Sequence, residues 1–144
     1  MTVKPVPDGY HSVCPYLMVQ GTERLIEFLK QAFGAKEIER LNHPQGRIGH
    51  AEVRIGDSVV MLSEAFGDWK AQPAMMYVYL PNVDDTYSKA MAAGAKSIMP
   101  PTDQFYGDRM GGVQDPSGNT WFIATRKEDV DPDELARRAA KNWK

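Results

Sequence analysis

The stretch Asp115-Pro116-Ser117-Gly118-Asn119-Thr120-Trp121-Phe122-Ile123-Ala124-Thr125 reads as a tight turn followed by a strand, since Asp, Pro, Ser, Gly and Asn cluster before a run of aromatic and β-branched residues. Working back from it, Gly112-Val113-Gln114 ends a strand and Gln104 to Arg109 forms a long loop. Ala95 to Met99 is a strand that Pro100-Pro101 breaks. A helix precedes it, with Asp84 as N-cap, Tyr87, Ala90 and Met91 as its buried face and Gly94 as its stop, and Met75 to Leu80 is the strand before that.

The first half of the chain repeats this grammar. His11 to Val19 is a strand with Pro15 at an edge or bulge, and Thr22 caps a helix whose Leu25, Ile26, Phe28, Leu29 and Ala32 share one face, ending at Gly34. Lys36 to Leu41, Gly49 to Ile55 and Ser58 to Ser63 follow as strands, the last two joined by the Gly56-Asp57 turn. The interval from Val19 to Gly34 nearly equals that from Leu80 to Gly94. An internal duplication with a period of about 60 residues accounts for this. The fold expected is α+β: two tandem βαβββ modules, about 10–64 and 74–126, joined by a linker from Glu64 to Pro73. From Asp131, which can cap with Pro132 in the first turn and Glu134 completing a capping box, a short helix closes the 127–144 tail. Leu135, Ala139 and Trp143 form a stripe on it that packs on the domain or on a second subunit.

With 144 residues, of which 42% are hydrophobic, the chain has enough apolar material for one core and none for a second large domain. A net charge of -2 with both signs interspersed gives no basic stripe, which argues against a nucleic-acid partner. The single cysteine, Cys14, rules out an intrachain disulfide, and no apolar run marks a signal peptide or a membrane span. A cytoplasmic protein without a membrane partner is expected.

Strand alternation nominates a site. Ala51, Val53 and Ile55 are the apolar side of their strand, so His50, Glu52 and Arg54 point the other way. By the same rule Tyr16 and Met18, then Tyr77 and Tyr79, lie on the concave side, with Leu17, Val19, Met76, Val78 and Leu80 toward the helices. Tyrosines and methionines with a few polar groups suit a small organic ligand. His50 and Glu52 are candidate catalytic residues, because a carboxylate beside an imidazole favours proton exchange near neutral pH. They also suit a solvated strand face carrying an ion pair, or two ligands of a displaced metal with His11 as the third. Arg109 offers a fork of donors for a carboxylate or phosphate and Tyr106 can cover a planar ligand; the alternative is a structural loop in which Arg109 ties to Asp108 or Asp115.

The DPxGN-type string at 115–119, with Gly9-Tyr10-His11 before Pro15-Tyr16-Leu17, His50-Ala51-Glu52-Val53-Arg54-Ile55-Gly56-Asp57-Ser58, Met99-Pro100-Pro101 and Tyr106-Gly107-Asp108-Arg109, resembles the PhnB-like branch of the vicinal-oxygen-chelate superfamily (glyoxalase, bleomycin-resistance and dioxygenase proteins). The likeness runs from about Asp8 to Thr125, within a single domain at 8–126. It implies curved mixed sheets around a cavity, commonly completed in a homodimer, and metal ligands on the first and last strand of each module. The matching positions here are Cys14, Val60, Met75 and Phe122, a soft thiol and three groups that do not coordinate an ion preferring oxygen and nitrogen. No cofactor is expected at the usual place, and a divalent metal stays open only at a displaced one. The expected ligand is planar or anionic, held between the modules by Tyr16, Arg54, Tyr77, Tyr79, Tyr106, Arg109 and Phe122. Three functions follow from this: binding or sequestration, an enzyme (metal-dependent as in glyoxalases and dioxygenases, or metal-free through His50 and Glu52), and a domain acting mainly by self-association.

Overall fold

The computed structural model describes residues 2–143; residue 144, the end of the expected tail, lies outside them. Strand β1 (Tyr16–Val19) leads into helix α1 (Thr22–Phe33), followed by β2 (Lys36–Asn42), β3 (Ile48–Ile55) and β4 (Ser58–Glu64). The second module is β5 (Met75–Tyr79), α2 (Val83–Ala92), β6 (Lys96–Asp103), β7 (Asp108–Gln114) and β8 (Thr120–Arg126), and helix α3 (Pro132–Asn142) follows it. Each module forms one four-stranded mixed sheet, ordered β1-β4-β3-β2 and β5-β8-β7-β6, in which the first strand pairs parallel with the last.

The α1 residues Leu25, Ile26, Phe28, Leu29 and Ala32 are buried against Leu17, Val19, Ala51, Val53, Ile55 and Leu62. Helices α1 and α2 also pack against each other, and Phe33 meets Trp121 of β8 with ring centroids 4.9 Å apart. One core therefore fills the space between the two sheets' helix-bearing sides, and the other face of each sheet is left open.

Several boundaries differ from the sequence reading, each for a physical reason. The first strand begins at Tyr16 rather than His11, because Pro15 has no N–H for the ladder and contributes only its carbonyl, which accepts from Met61 N at 2.9 Å. Thr22 is the first helical residue, not the cap; Gly21 caps in the left-handed region (φ 83°) and the Glu64 carboxylate accepts from Thr22 N and Oγ1, both at 2.9 Å. Asn82, not Asp84, caps α2 by accepting from Asp85 N at 3.1 Å, and Met91 is exposed while Val83, Thr86 and Ala90 are buried. Strand β6 runs through Pro100-Pro101 with an irregular register between Met99 and Thr102, tolerable because β6 is an edge strand. The expected loop ends early, so Asp108 and Arg109 belong to β7. In α3, Asp131 accepts from Asp133 N and Glu134 N, while the Glu134 side chain turns to Arg137 and Arg138 instead of closing a capping box. The helix leans on its own domain: Arg138 donates to Phe105 O at 3.0 Å and Trp143 meets the Phe105 ring edge-on. No helix among the described residues is long and apolar enough to cross a membrane.

Candidate functional site

The open face of module one carries a connected polar chain. On β3, His50 Nε2 lies 2.8 Å from Glu52 Oε2, and its Nδ1 lies 3.0 Å from the Tyr16 hydroxyl on β1. The tautomer that donates from Nε2 to the carboxylate leaves Nδ1 to accept from Tyr16. Ser63 Oγ on β4 is 3.3 Å from the same hydroxyl, and Tyr10, from the segment before β1, donates to the other oxygen of Glu52. Glu52 is only 6% exposed, so a fully solvated strand face does not describe it. Burial pushes its carboxyl upward, but hydrogen bonds from His50 and Tyr10 outweigh that and hold it below the ordinary carboxylate range; Glu52 in turn raises the Tyr10 phenol.

Beside this chain is a cavity of about 520 Å³ whose walls include Tyr16, Ser63, Phe66, Trp69, Lys70 and Gln72. The linker wall is fixed by a small hairpin in which Phe66 and Trp69 exchange backbone hydrogen bonds at 3.0 and 2.9 Å, and Gln72 N donates to Met18 O at 3.0 Å. The chain before β1 covers the far side of the face: Arg54 donates to Gly9 O at 2.9 Å, which makes Arg54 an anchor for that segment. The carboxylate of Glu39, on β2 directly opposite Glu52, completes a group with His50 and Glu52 whose donor atoms all lie within 4.8 Å of one another. His11, the third ligand considered for a displaced metal, instead lies 3.5 Å from Asp57.

The open face of module two is built differently. The registers align Tyr77 with Tyr16, Phe122 with Met61 and Gly112 with Glu52. A Cβ on Gly112 would come 3.1 Å from the Phe122 ring, so the glycine lets that ring lie over the strand where module one has its carboxylate. Tyr77 and Tyr79 donate to Asp108 Oδ2 at 2.8 and 2.7 Å, and Tyr106 is 3.1 Å from the Tyr77 hydroxyl. Burial chiefly raises the Tyr77 phenol, and the bond to Asp108 chiefly raises that of Tyr79, so both stay protonated as donors. Arg109 is engaged by Asp84 (2.9 and 3.1 Å) and Asp103 (3.2 Å), not by Asp108 or Asp115, which ties β7 to α2 and occupies its fork.

The site residues therefore fall into two groups. Tyr16, His50, Glu52 and Arg54 share one sheet face, Tyr77, Tyr79, Tyr106 and Phe122 the other, and among the described residues no hydrogen bond or ring contact joins them. A groove of about 490 Å³ does run between the Gly56-Asp57 turn and β5; Tyr77 and Tyr79 reach it from module two, but the rest of its lining is mostly Ile55, Val60, Met76, Val78 and Trp121, with Asp57 as its charged group and none of Tyr16, His50, Glu52 or Arg54. Glu39, Ser63, Lys70 and the buried Asp108 were not singled out from sequence. Of these, Ser63 had a usable signal, since alternation from the buried Leu62 puts it on the open face.

The chain belongs to the Glyoxalase/Bleomycin resistance protein/Dioxygenase superfamily, whose sequence pattern matches residues 10–123. It is 30% identical over 135 residues to an uncharacterised protein of Mycobacterium bovis, covering 86% of this chain and 89% of that one. A counterpart in Mycobacterium tuberculosis matches at the same identity over 79% of its length. Among solved structures, TioX from Micromonospora superposes with a TM-score of 0.65 at 23% identity (80% of this chain, 99% of that one). A Pseudomonas aeruginosa protein gives 0.68 at 18% (82% and 99%), and a PhnB protein from Bacillus cereus 0.64 at 17% (80% and 99%). The fold is thus that of the superfamily. The ligand positions are not those of its metal-dependent members: Cys14 precedes β1, Val60 is turned into the core, Met75 is 71% exposed and Phe122 packs on Tyr77. The residues that do face outward from the first and last strands, among them Tyr16, Met18, Met61, Ser63, Tyr77, Tyr79 and Phe122, include no carboxylate or imidazole, so this donor set does not fit the superfamily's usual metal.

Proposed function

We propose that this protein binds a planar, anionic organic molecule on the open face of module one, without a metal at the strand positions the superfamily usually employs. The observation that carries this reading is the cavity beside Tyr16, whose lining combines the aromatic residues Phe66 and Trp69, the cationic Lys70 and the polar Ser63 and Gln72. Rings give contact area to a flat ligand and a single cation selects for negative charge. The groove between the modules is less suitable, because its charged group is the carboxylate of Asp57. TioX and the PhnB protein share the fold and lend no ligand to this chain. A cytoplasmic setting accords with the lone Cys14, and a homodimer accords with the exposed tyrosines of module two.

Titration with aromatic carboxylates, followed by Trp fluorescence and thermal shift, tests the reading. The expected result is saturable binding that Trp69→Ala and Lys70→Ala each weaken by about tenfold or more. Affinity unchanged in both variants overturns this location. A second reading, catalysis by proton transfer, is favoured by the Tyr16, His50, Glu52 chain. Under it, His50→Ala abolishes turnover while ligand affinity stays within a few-fold; under sequestration no turnover exists to lose.

A further inference from the structure

We infer that module one holds a divalent transition-metal ion on Glu39, His50 and Glu52, a place distinct from the strand positions of the superfamily's usual ligands. Three donor atoms, one imidazole nitrogen and two carboxylate oxygens, already lie within 4.8 Å of one another. Ions of this class bind such atoms at about 2.0–2.2 Å, so small side-chain rotations close the group around one centre.

The backbone is shaped to bring the third donor in. Lys36 pairs with Arg54 and Glu37 with Val53, and an unbroken register would then set the apolar Ile38 against Glu52. A bulge between Glu37 and Glu39 leaves Ile38 unpaired and places Glu39 opposite Glu52 instead. Bulges commonly re-aim a side chain at a site in this way. The result is two like charges directly across a strand pair, which is unfavourable unless a cation joins them. None of the Lys or Arg side chains among the described residues forms a salt bridge with Glu39 or Glu52, and the neighbouring Arg54 is spent on Gly9 O at 2.9 Å. His50 is the basic group in contact with the pair, and it is itself a metal-ligand type.

The outer contacts are those a metal site needs. When His50 Nδ1 donates to the Tyr16 oxygen, at 3.0 Å, Nε2 is left free as a ligand on the side of Glu52. Tyr10 fixes the second oxygen of Glu52, which is itself nine-tenths buried, and the exposed Glu39 leaves a path for the ion. Imidazole with carboxylates selects Mn²⁺, Fe²⁺, Co²⁺, Ni²⁺ or Zn²⁺ over Ca²⁺ and Mg²⁺. Three protein ligands leave coordination positions open.

The test is calorimetric titration of chelator-dialysed protein with ZnCl₂ and MnCl₂, with MgCl₂ as the control ion. One Zn²⁺ per chain is expected, weakened by about tenfold or more in Glu39→Gln and in His50→Ala, since losing even an outer-shell partner has that effect. His11→Ala, His43→Ala and Trp69→Ala are expected to keep the wild-type affinity. Glu39 is exposed, so its variant folds and the comparison stands even if His50→Ala is damaged. No stoichiometric binding, binding that survives Glu39→Gln, or binding lost with His11 or His43 overturns the site. Because Trp69 lines the cavity and not the metal group, failure of the ligand reading and failure of this one are separately visible.

Discussion

Asp115 accepts from four donors: Ser117 N (2.8 Å) and Asn119 N (3.0 Å) at one oxygen, Asn119 Nδ2 (2.9 Å) and Trp121 Nε1 (2.8 Å) at the other. Asn119, fully buried, passes the connection on by accepting from Ala74 N at 2.9 Å, which fixes the entry to β5. A carboxylate suits this place because every partner donates. Asp115→Asn keeps the shape but points an amide N–H₂ at two donors, and a loss of about 3 kcal/mol is expected in urea unfolding. Ser117→Ala, which removes only an exposed bond to Gln20 O, is expected to cost less than about 1 kcal/mol. Much at this scale could be read from the sequence: the turn, and through strand alternation the outward direction of His50, Glu52, Tyr16, Tyr77 and Tyr79. Glu39 could not, because a bulge changes the parity of a strand without changing its composition, and the partners of Arg109 required knowing that α2 passes beside β7.

At the scale of elements, the start of α1 shows how a long-range contact replaces a local cap. Gly21 has no side chain to cap with, and Glu64, at the end of β4, accepts from the N–H groups of Gly21 and Thr22 in its place. Burial raises the Glu64 carboxyl, yet these donors together bring it below its ordinary value of 4.5. A lowered value in the folded state means the contribution is fully present above the unfolded pKa and is lost as pH falls through the folded one. Glu64→Gln is therefore expected to cost about 1 kcal/mol near neutral pH and progressively less in acid, as read from denaturation midpoints across that range. A cost independent of pH would show that the carboxylate charge is not what caps the helix. The Thr22 and Asp84 cap assignments failed for the same kind of reason: cap residues are read locally, and here a strand end and a cation on another strand decide which side chain is free to cap. The tail is held by a close approach at Gly107 (φ 105°), where a Cβ would come 2.5 Å from Glu128 O. Gly107→Ala is expected to loosen α3, seen as faster proteolysis after residue 126, with the unfolding of the two sheets little changed.

At the scale of the whole molecule, the duplication yields two sheets that share one core and leave two unlike faces open. Module one's face carries the histidine, the carboxylates and the cavity; module two's carries Met75, Tyr77, Tyr79 and Ile98, which are 71%, 42%, 57% and 49% exposed. The chain exposes 8940 Å², whereas a compact monomer of 16.1 kDa exposes about 7,400 Å². The excess, about 1,500 Å² for one chain, is more than the roughly 800 Å² that each partner contributes to a standard protein interface, and apolar side chains on an open sheet are where a partner would take it up. This face is where the proposed homodimer is expected to form. Light scattering is expected to give a mass of about twice 16.1 kDa, with an unfolding temperature that rises with protein concentration. Met75→Arg places a charge on that surface at a side chain that makes no hydrogen bond, and it is expected to shift the mass toward the monomer while leaving metal and ligand affinity on module one intact. If the dimer persists in Met75→Arg, its interface lies elsewhere; if affinity on module one falls with dimerisation, the second copy contributes to the site and the two faces act together.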